Sequence, residues 1–550
     1  MVAYSNRHCS GCYVLLLTAT LAATGCSHDK PPATRILRSA TLERNPNPTV
    51  SLAAIAHVLT NEPAKVTLDI TGASVPTHVE FPELRSVHEL PVLGLVPGKI
   101  NSITITVETS AKVKETKTIP FVTERLPPEF PPLELTVTDS AAMEPGLTLF
   151  NVFQWESQVP GLVATRGWLI AVNSAGEVVW FQHPDSVPGD ARQLPNGHIL
   201  YEYDQTGFVE VDLLGNDVHR WHATGLGKPA PTGATLVDTH TMHHDLQELP
   251  NGHLLSLSTS MIPAPNYPTS ERDPKAPPAD TSVIVDKVNE FDRQGTIVRE
   301  WFLDDMIDSY RVAYDSLTPF WDLVYHEPAN TTKDWSHANA LVYSESDDAI
   351  IVSLRNQDAL IKFRRETGSL VWILGTPANW KSPWKEYLLK APADMPWFFH
   401  QHAPKVLSDG RILLFDSGNF RASPPDNKLP AKDNHSRVVE YRVDEARGTV
   451  EQTWAYGGPD TEIFYSPFLG DADSLPKTGN VLITDGGRVT DDKGVASDEI
   501  FSGYKSARIF EVTREVKPRK VFEIQIKPAT PVGSPGWSVY RAARIPGLYR

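Results

Sequence analysis

Two short phrases alternate along this chain, and no other feature narrows its fold as far. The first is a hairpin phrase around a turn: Leu194-Pro195-Asn196-Gly197-His198-Ile199-Leu200, then Leu249 to Leu255, Leu407 to Leu414 and Leu475 to Leu482. The second is an alternating strand, a turn and a strand ending in an aromatic or other apolar residue. It runs from Leu169 to Trp180, Val209 to Trp221, Val288 to Trp301, Leu360 to Trp372, Val439 to Trp454 and Ile509 to Phe522. Turn residues between apolar runs make hairpins, so one pair of phrases is four antiparallel strands. Repetition at intervals of roughly 40 to 70 residues predicts an all-β fold, a six-bladed β-propeller over residues 135–550. The tail Val539 to Gly547 resembles a first phrase without its second. It is expected to close the ring on the blade begun near Leu149 and so protect the edge strands.

Ahead of the repeats, short runs such as Lys65-Val66-Thr67-Leu68-Asp69-Ile70 alternate apolar and polar residues and are rich in Val, Ile and Thr. This predicts a small N-terminal β-sandwich over 40–125, Ig- or fibronectin-like. A Pro-rich linker over 126–134 is expected to hold it stiffly apart. Within the repeats, insertions at 223–242, 261–283, 302–334 and 375–400 are rich in Pro, Trp and Tyr, and so are expected to be ordered covers over one face.

The first 26 residues have the form of an export signal, with Arg7 ahead of an apolar run from Tyr13 to Ala23 that is too short to span a bilayer. The run ends in Leu21-Ala22-Ala23-Thr24-Gly25-Cys26, which resembles a lipoprotein cleavage box. The expectation is lipidation at Cys26, a tether over 27–39 and a protein exported to the periplasm and anchored to a bacterial membrane. Contact with the membrane would then run only through that anchor. The chain has 3 Cys, all at or before Cys26, so the mature chain can form no disulfide. A formal charge of −16 excludes nucleic acid as a partner, because phosphate backbones are bound by clustered Lys and Arg.

A position at the mouth of the innermost strand faces the central cavity in every blade. His244 and His402 each lie eight positions before a turn glycine, Gly252 and Gly410. His337 falls on the same arc in the blade between them, and the same count from Gly479 gives Asp471. Arg355 follows on the strand after His337. One such histidine is explained by blade packing; three in register around an arginine point to a site. Imidazole can act as nucleophile, acid or base, and the planar guanidinium suits sulfate or phosphate oxygens, so the set fits transfer of a sulfuryl or phosphoryl group. Two other readings stand beside it: a tri-histidine metal site in a hydrolase or oxidoreductase, which a nearby arginine would disfavour, and a non-catalytic binding scaffold. His243, His253 and His400 are expected to be structural. Glu210, Asp212 and Glu290 are expected on a solvated face. Phe398, Phe399 and Trp335 fit core more readily than ring-stacking walls.

Taken together, Met242-His243-His244-Asp245, Ser336-His337-Ala338-Asn339, Arg355 eighteen positions after His337, Gln401-His402, Gly470-Asp471-Ala472-Asp473 and Tyr540-Arg541-Ala542 resemble the bacterial arylsulfate sulfotransferases. The resemblance implies a six-bladed periplasmic propeller, a homodimer, that moves sulfate from a phenolic ester to another phenol. It needs neither the nucleotide sulfate donor PAPS nor any other cofactor or metal, and its partners are small aryl sulfates and phenols. By the same resemblance His402 is the nucleophile that becomes sulfohistidine in a ping-pong reaction. His337 and Arg355 would hold the sulfuryl oxygens, His244 would assist proton transfer, and Asn339 would contact an oxygen. Enterobacterial members carry a disulfide, which this mature chain cannot.

Overall fold

The second strands of the hairpins, such as Ile199–Tyr203, Ala349–Leu354 and Ile412–Asp416, are buried along their whole length, so each sheet needs two neighbours to bury against. In the computed structural model, which describes residues 35–155, 164–527 and 536–550, the strands beyond residue 130 form six mainly antiparallel sheets of four or five strands, numbered 1 to 6 by the strands Leu147–Trp155, Pro188–Gln193, His243–Glu248, Ala338–Ser344, His402–Val406 and Asp471–Ser474. The signal segment 1–26 with Cys26, and the tether up to residue 34, lie outside the described residues. Six apolar cores join the sheets in cyclic order. Side chains on one strand alternate between cores: Leu254 packs towards sheet 2, Leu255 and Leu257 towards sheet 4. The last sheet meets the first through Ile509 and Phe522 against Phe150 and Trp168, so the ring is closed.

Closure is double. The tail strand Ala542–Ile545 pairs with Leu147–Trp155 in sheet 1, as the orphan phrase predicted. In addition, Leu133–Thr138 adds an outer strand to sheet 6, against Lys520–Ile526.

The N-terminal strands Leu37–Arg44, Ala54–Thr71, Thr77–Val92, Ile100–Thr109 and Lys114–Val122 form one sheet rather than two separate ones. Its spine, Ala54–Thr71, pairs with the first strand by its leading half and with Ile100–Thr109 by its trailing half. The sheet closes on itself where Glu115 accepts the backbone N–H groups of Ile36 and Leu37, each at 2.8 Å, around a core of Val58, Val66, Leu68, Ile103 and Ile105. One bent sheet thus supplies both layers expected from the alternation. The Pro-rich segment is docked rather than a free spacer: Phe130 packs edge-on against Trp168 and Phe181, with centroids 5.1 and 5.4 Å away.

Glu210 and Glu290 do not form a solvated face; both are buried, and they bracket successive sheets. Each takes a hairpin residue of its own sheet and an arginine of the next. Glu290 binds His253 at 2.8 Å and Arg365 at 2.8 Å, while Glu210 binds His198 at 2.7 Å and lies 3.9 Å from Arg293. Glu440 and Glu511 repeat the bracket with Arg514 and Arg544, and sheet 4 reverses its sign, with Lys362 reaching Glu445. Asp212, half-buried, instead braces its own turn by accepting the N–H groups of Leu214 and Asn216. The Arg544–Glu511 pair, at 2.8 Å, is fully enclosed on the closing strand. Arg544→Ala strands a buried carboxylate, and the expected cost is about 3 kcal/mol, read as a lowered thermal midpoint.

Candidate active site

The innermost strands of sheets 3, 4 and 5 begin irregularly. His244 and His337 adopt positive φ of 59° and 46°, and Ala403 follows His402 with φ of 48°. Each conformation is unfavourable for a non-glycine residue by about 1 kcal/mol. Each is followed by a shift of pairing register, between His243 and Leu246, Ala338 and Ala340, and His402 and Lys405. A bulge of this kind re-aims the side chain beside it. All three histidines and Arg355 line one cavity of about 620 Å3, within the range of small-molecule sites.

His244 and His337 lie edge to face with ring centroids 5.4 Å apart, and each is held from behind. The Nδ1 of His337 is 2.6 Å from Oδ2 of Asp334, whose Oδ1 accepts the indole N–H of Trp321 at 2.9 Å. For His244 the support is His243, Nδ1 to Nδ1 at 2.6 Å, and beyond it the Asp286 carboxylate, 3.5 Å from His243 Nε2. Asp286 in turn accepts the Ser336 hydroxyl and the Ala338 N–H. Burial pushes His243 down to about 3 and Asp286 up to about 7. His243, expected to be merely structural, is therefore the positioning partner of His244. His253 and His400 keep structural roles: His253 caps Glu290, and His400 is enclosed between Asp315 and Asp358, outside the cavity wall.

Among the described residues His402 has one hydrogen-bond partner, Ser417 Oγ at 3.1 Å from Nδ1, and Nε2 has none. Burial, reinforced by the nearby Arg355, His337 and Arg541, holds its pKa well below the ordinary histidine value. His244 is held low in the same way, by burial and then by His243 and His337. Both are neutral bases at pH 7. Arg355 does not sit on the strand itself but opens the turn Arg355–Gln357 just after it, with its backbone N–H bonded to His337 O at 3.2 Å. Its Nη1 donates to Asn356 Oδ1 at 2.7 Å and Asp315 Oδ2 at 3.3 Å, and Nη2 to Pro467 O at 3.3 Å. Among the described residues the guanidinium therefore has no acceptor for its Nε–H and one Nη2–H, a fork open to a ligand.

Two residues fall elsewhere. Asn339 is not on the cavity wall; it is a buried strut whose Nδ2 donates to Gln401 O at 2.8 Å and whose carbonyl accepts Tyr540 OH at 3.1 Å. Asp471 misses the histidine position because its turn, closed by Leu475 N–H to Asn480 O, is one residue longer than the one closed by Leu249 N–H to His253 O. It matches Asp245 instead, and pairs with Lys405 at 3.7 Å. The aromatic walls include Phe153, Trp155, Phe320, Phe420, Phe468 and Tyr540, while Phe398 and Trp335 are core. Phe320 comes from the 302–334 insertion and lies 4.8 Å from the His337 ring. Among the described residues, no group of three or more His, Cys, Asp or Glu is spaced to hold a metal ion.

The family model described as Arylsulfotransferase (ASST) matches residues 134–540, and that described as Arylsulfotransferase Ig-like domain matches residues 41–124. Arylsulfate sulfotransferase AssT of Escherichia coli O6:H1 is 29% identical over 265 residues, 41% of this chain and 42% of that protein. The AssT of Lelliottia amnigena is 28% identical over 229 residues, 34% of this chain and 36% of that protein. The matched region thus spans less than half the length of either relative. Among solved structures, the periplasmic gluconolactonase PpgL of Pseudomonas aeruginosa aligns with 12% identity and a TM-score of 0.32, covering 72% of this chain and 99% of that one.

Proposed function

Because the chain belongs to the arylsulfotransferase family, we propose that it moves a sulfuryl group from an aryl sulfate to an acceptor phenol through a sulfohistidine on His402, without a nucleotide donor. The observation that carries this reading is the convergence of three histidines and a half-free guanidinium on one aromatic-walled cavity. With its Nδ1 proton donated to Ser417, His402 presents a lone pair at Nε2. That atom attacks sulfur in line; the N–S bond forms as the S–O(aryl) bond breaks, and the aryloxide leaves. Arg355 and His337 carry the charge on the sulfuryl oxygens as it shifts. The bound sulfate monoanion favours the protonated form of His244, so His244 can give a proton to the departing aryloxide and take one from the entering phenol. The second phenol then attacks sulfur from the vacated side and restores His402. Beyond the chemistry, the reading has the protein acting as a homodimer in the periplasm, exported by the apolar run Tyr13 to Ala23 and anchored at Cys26.

A metal-centred alternative requires three donors meeting at one point, and no such set occurs among the described residues. Two-substrate kinetics test the sulfohistidine reading. Parallel double-reciprocal lines are expected, with kcat/KM for the donor holding below pH 6.5, because His402 stays neutral there. Intersecting lines, or an acid limb centred near the ordinary histidine value, would count against a covalent carrier at His402.

A further inference from the structure

Sheet 2 lacks the ring histidine of sheets 3 and 5. Eight positions before its turn glycine, Gly197, stands Gly189. The turns match: Leu194 N–H to His198 O closes the same loop as Leu249 N–H to His253 O and Leu407 N–H to Arg411 O. Gly189 is therefore the counterpart of His244 and His402. The space it leaves is taken: a Cβ built on Gly189 would lie 1.8 Å from Oε2 of Glu202. Glu202 is five positions after its turn glycine, and the same count gives Leu257 and Phe415 in sheets 3 and 5, both buried and apolar. Sheet 2 thus supplies its polar group from the second strand rather than the first.

Glu202 is buried on the wall of the same cavity as His244 and Tyr540. Its Oε1 accepts the Gln205 N–H at 2.6 Å, and among the described residues no side chain or backbone group bonds Oε2. The charged and titratable groups around it are Asp190 on the first strand of the sheet, Asp204 in the turn after its own strand, Lys228 in the neighbouring loop and Tyr540 in the closing tail. Lys228 Nζ is bonded to the Asp204 carbonyl at 3.2 Å, not to Glu202. A buried carboxyl with one backbone donor, no bonded cation and two acidic neighbours, of which Asp190 is itself paired with Arg192 and Arg541, favours the uncharged acid, which has a proton to donate. Burial first, then Asp204 and Asp190, push its pKa up to about 8.

We propose that Glu202 is a further substrate-binding group of this site: as a neutral acid it donates a hydrogen bond to an oxygen of the bound aryl sulfate, and once ionised it repels that anion. The inference rests on the sulfotransferase reading above. It is tested by kcat/KM for one aryl sulfate across pH in wild type, Glu202→Gln and Gly189→Ala. Gln keeps a neutral donor, so the variant loses a few-fold at pH 7 but resists alkali. The variant-to-wild-type ratio should rise about tenfold between pH 7 and pH 9, as a group of pKa about 8 ionises in the wild type. Gly189→Ala, whose backbone is compatible with alanine, pushes the carboxyl aside and should raise KM about tenfold at pH 7. A flat ratio, or an unchanged KM in Gly189→Ala, overturns the proposal while wild-type turnover continues. The Gly189→Ala arm decides by itself if Glu202→Gln does not fold. Absence of wild-type turnover and of a sulfated His402 would instead overturn the sulfotransferase reading and this one with it.

Discussion

His402→Ala lowers sulfuryl transfer by about 10^4-fold or more, the scale of losing a group that forms the covalent intermediate. The loss is expected in kcat for the donor half-reaction, seen as the disappearance of the phenol burst, with aryl sulfate binding largely retained through Arg355 and His337. Folding is expected to survive, because among the described residues the imidazole has one hydrogen bond, to Ser417, worth about 1 kcal/mol. Ser417→Ala separates the two roles. It keeps the imidazole and removes only its hydrogen-bond partner, so it is expected to lose about tenfold and no more. If His402→Ala and Ser417→Ala were equally active, His402 would be a packing residue and the carrier would lie elsewhere.

Arg355→Lys costs about 10^2- to 10^3-fold in kcat/KM although the charge is kept. The guanidinium spends three of its five N–H groups on Asp315, Asn356 and Pro467, and these bonds set the plane in which its remaining two point. A lysine ammonium has three donors in all and no fixed plane, so it cannot hold the frame and offer a fork to sulfate oxygens at once. Asp315 makes the substitution informative. Burial alone would raise its pKa, yet His400 and Arg355 hold it well below the usual carboxylate range. With Lys at position 355 that carboxylate is less fully neutralised and faces the incoming anion. Steady-state constants with a series of aryl sulfates measure the effect; a change in KM alone, with kcat intact, would reduce Arg355 to an anchor for the ground state.

The ring was legible because its repeat is local. Each hairpin phrase carries its own turn, and counting back from the turn glycine located His244 and His402 without knowledge of the fold. The same count failed at Asp471 because one added residue between Leu475 and Asn480 moves every earlier position by one place around the bulge. Glu202 was invisible for a related reason: the count ends on Gly189, which has no side chain, and the group filling its place comes from the other strand of the hairpin. Buried Glu210 and Glu290 looked solvated because alternation distinguishes two faces of a strand but not a sheet covered on both. His243 looked like packing because its role is a contact to its own neighbour, His244, set by a left-handed backbone that no spacing reveals. The cavity's aromatic walls belong to separate sheets and insertions, so only the closed ring brings Phe153, Phe320 and Phe468 together.

The covalent carrier is the central claim, and it can be seen directly. The protein is mixed with an excess of aryl sulfate in the absence of acceptor phenol, quenched in alkali to protect the N–S bond, and digested for mass spectrometry. The expected result is an SO3 adduct on the peptide containing His402, located to that residue, discharged when a phenol is added before the quench and absent in His402→Ala. Continued sulfate transfer with an unmodified His402 peptide would contradict the account.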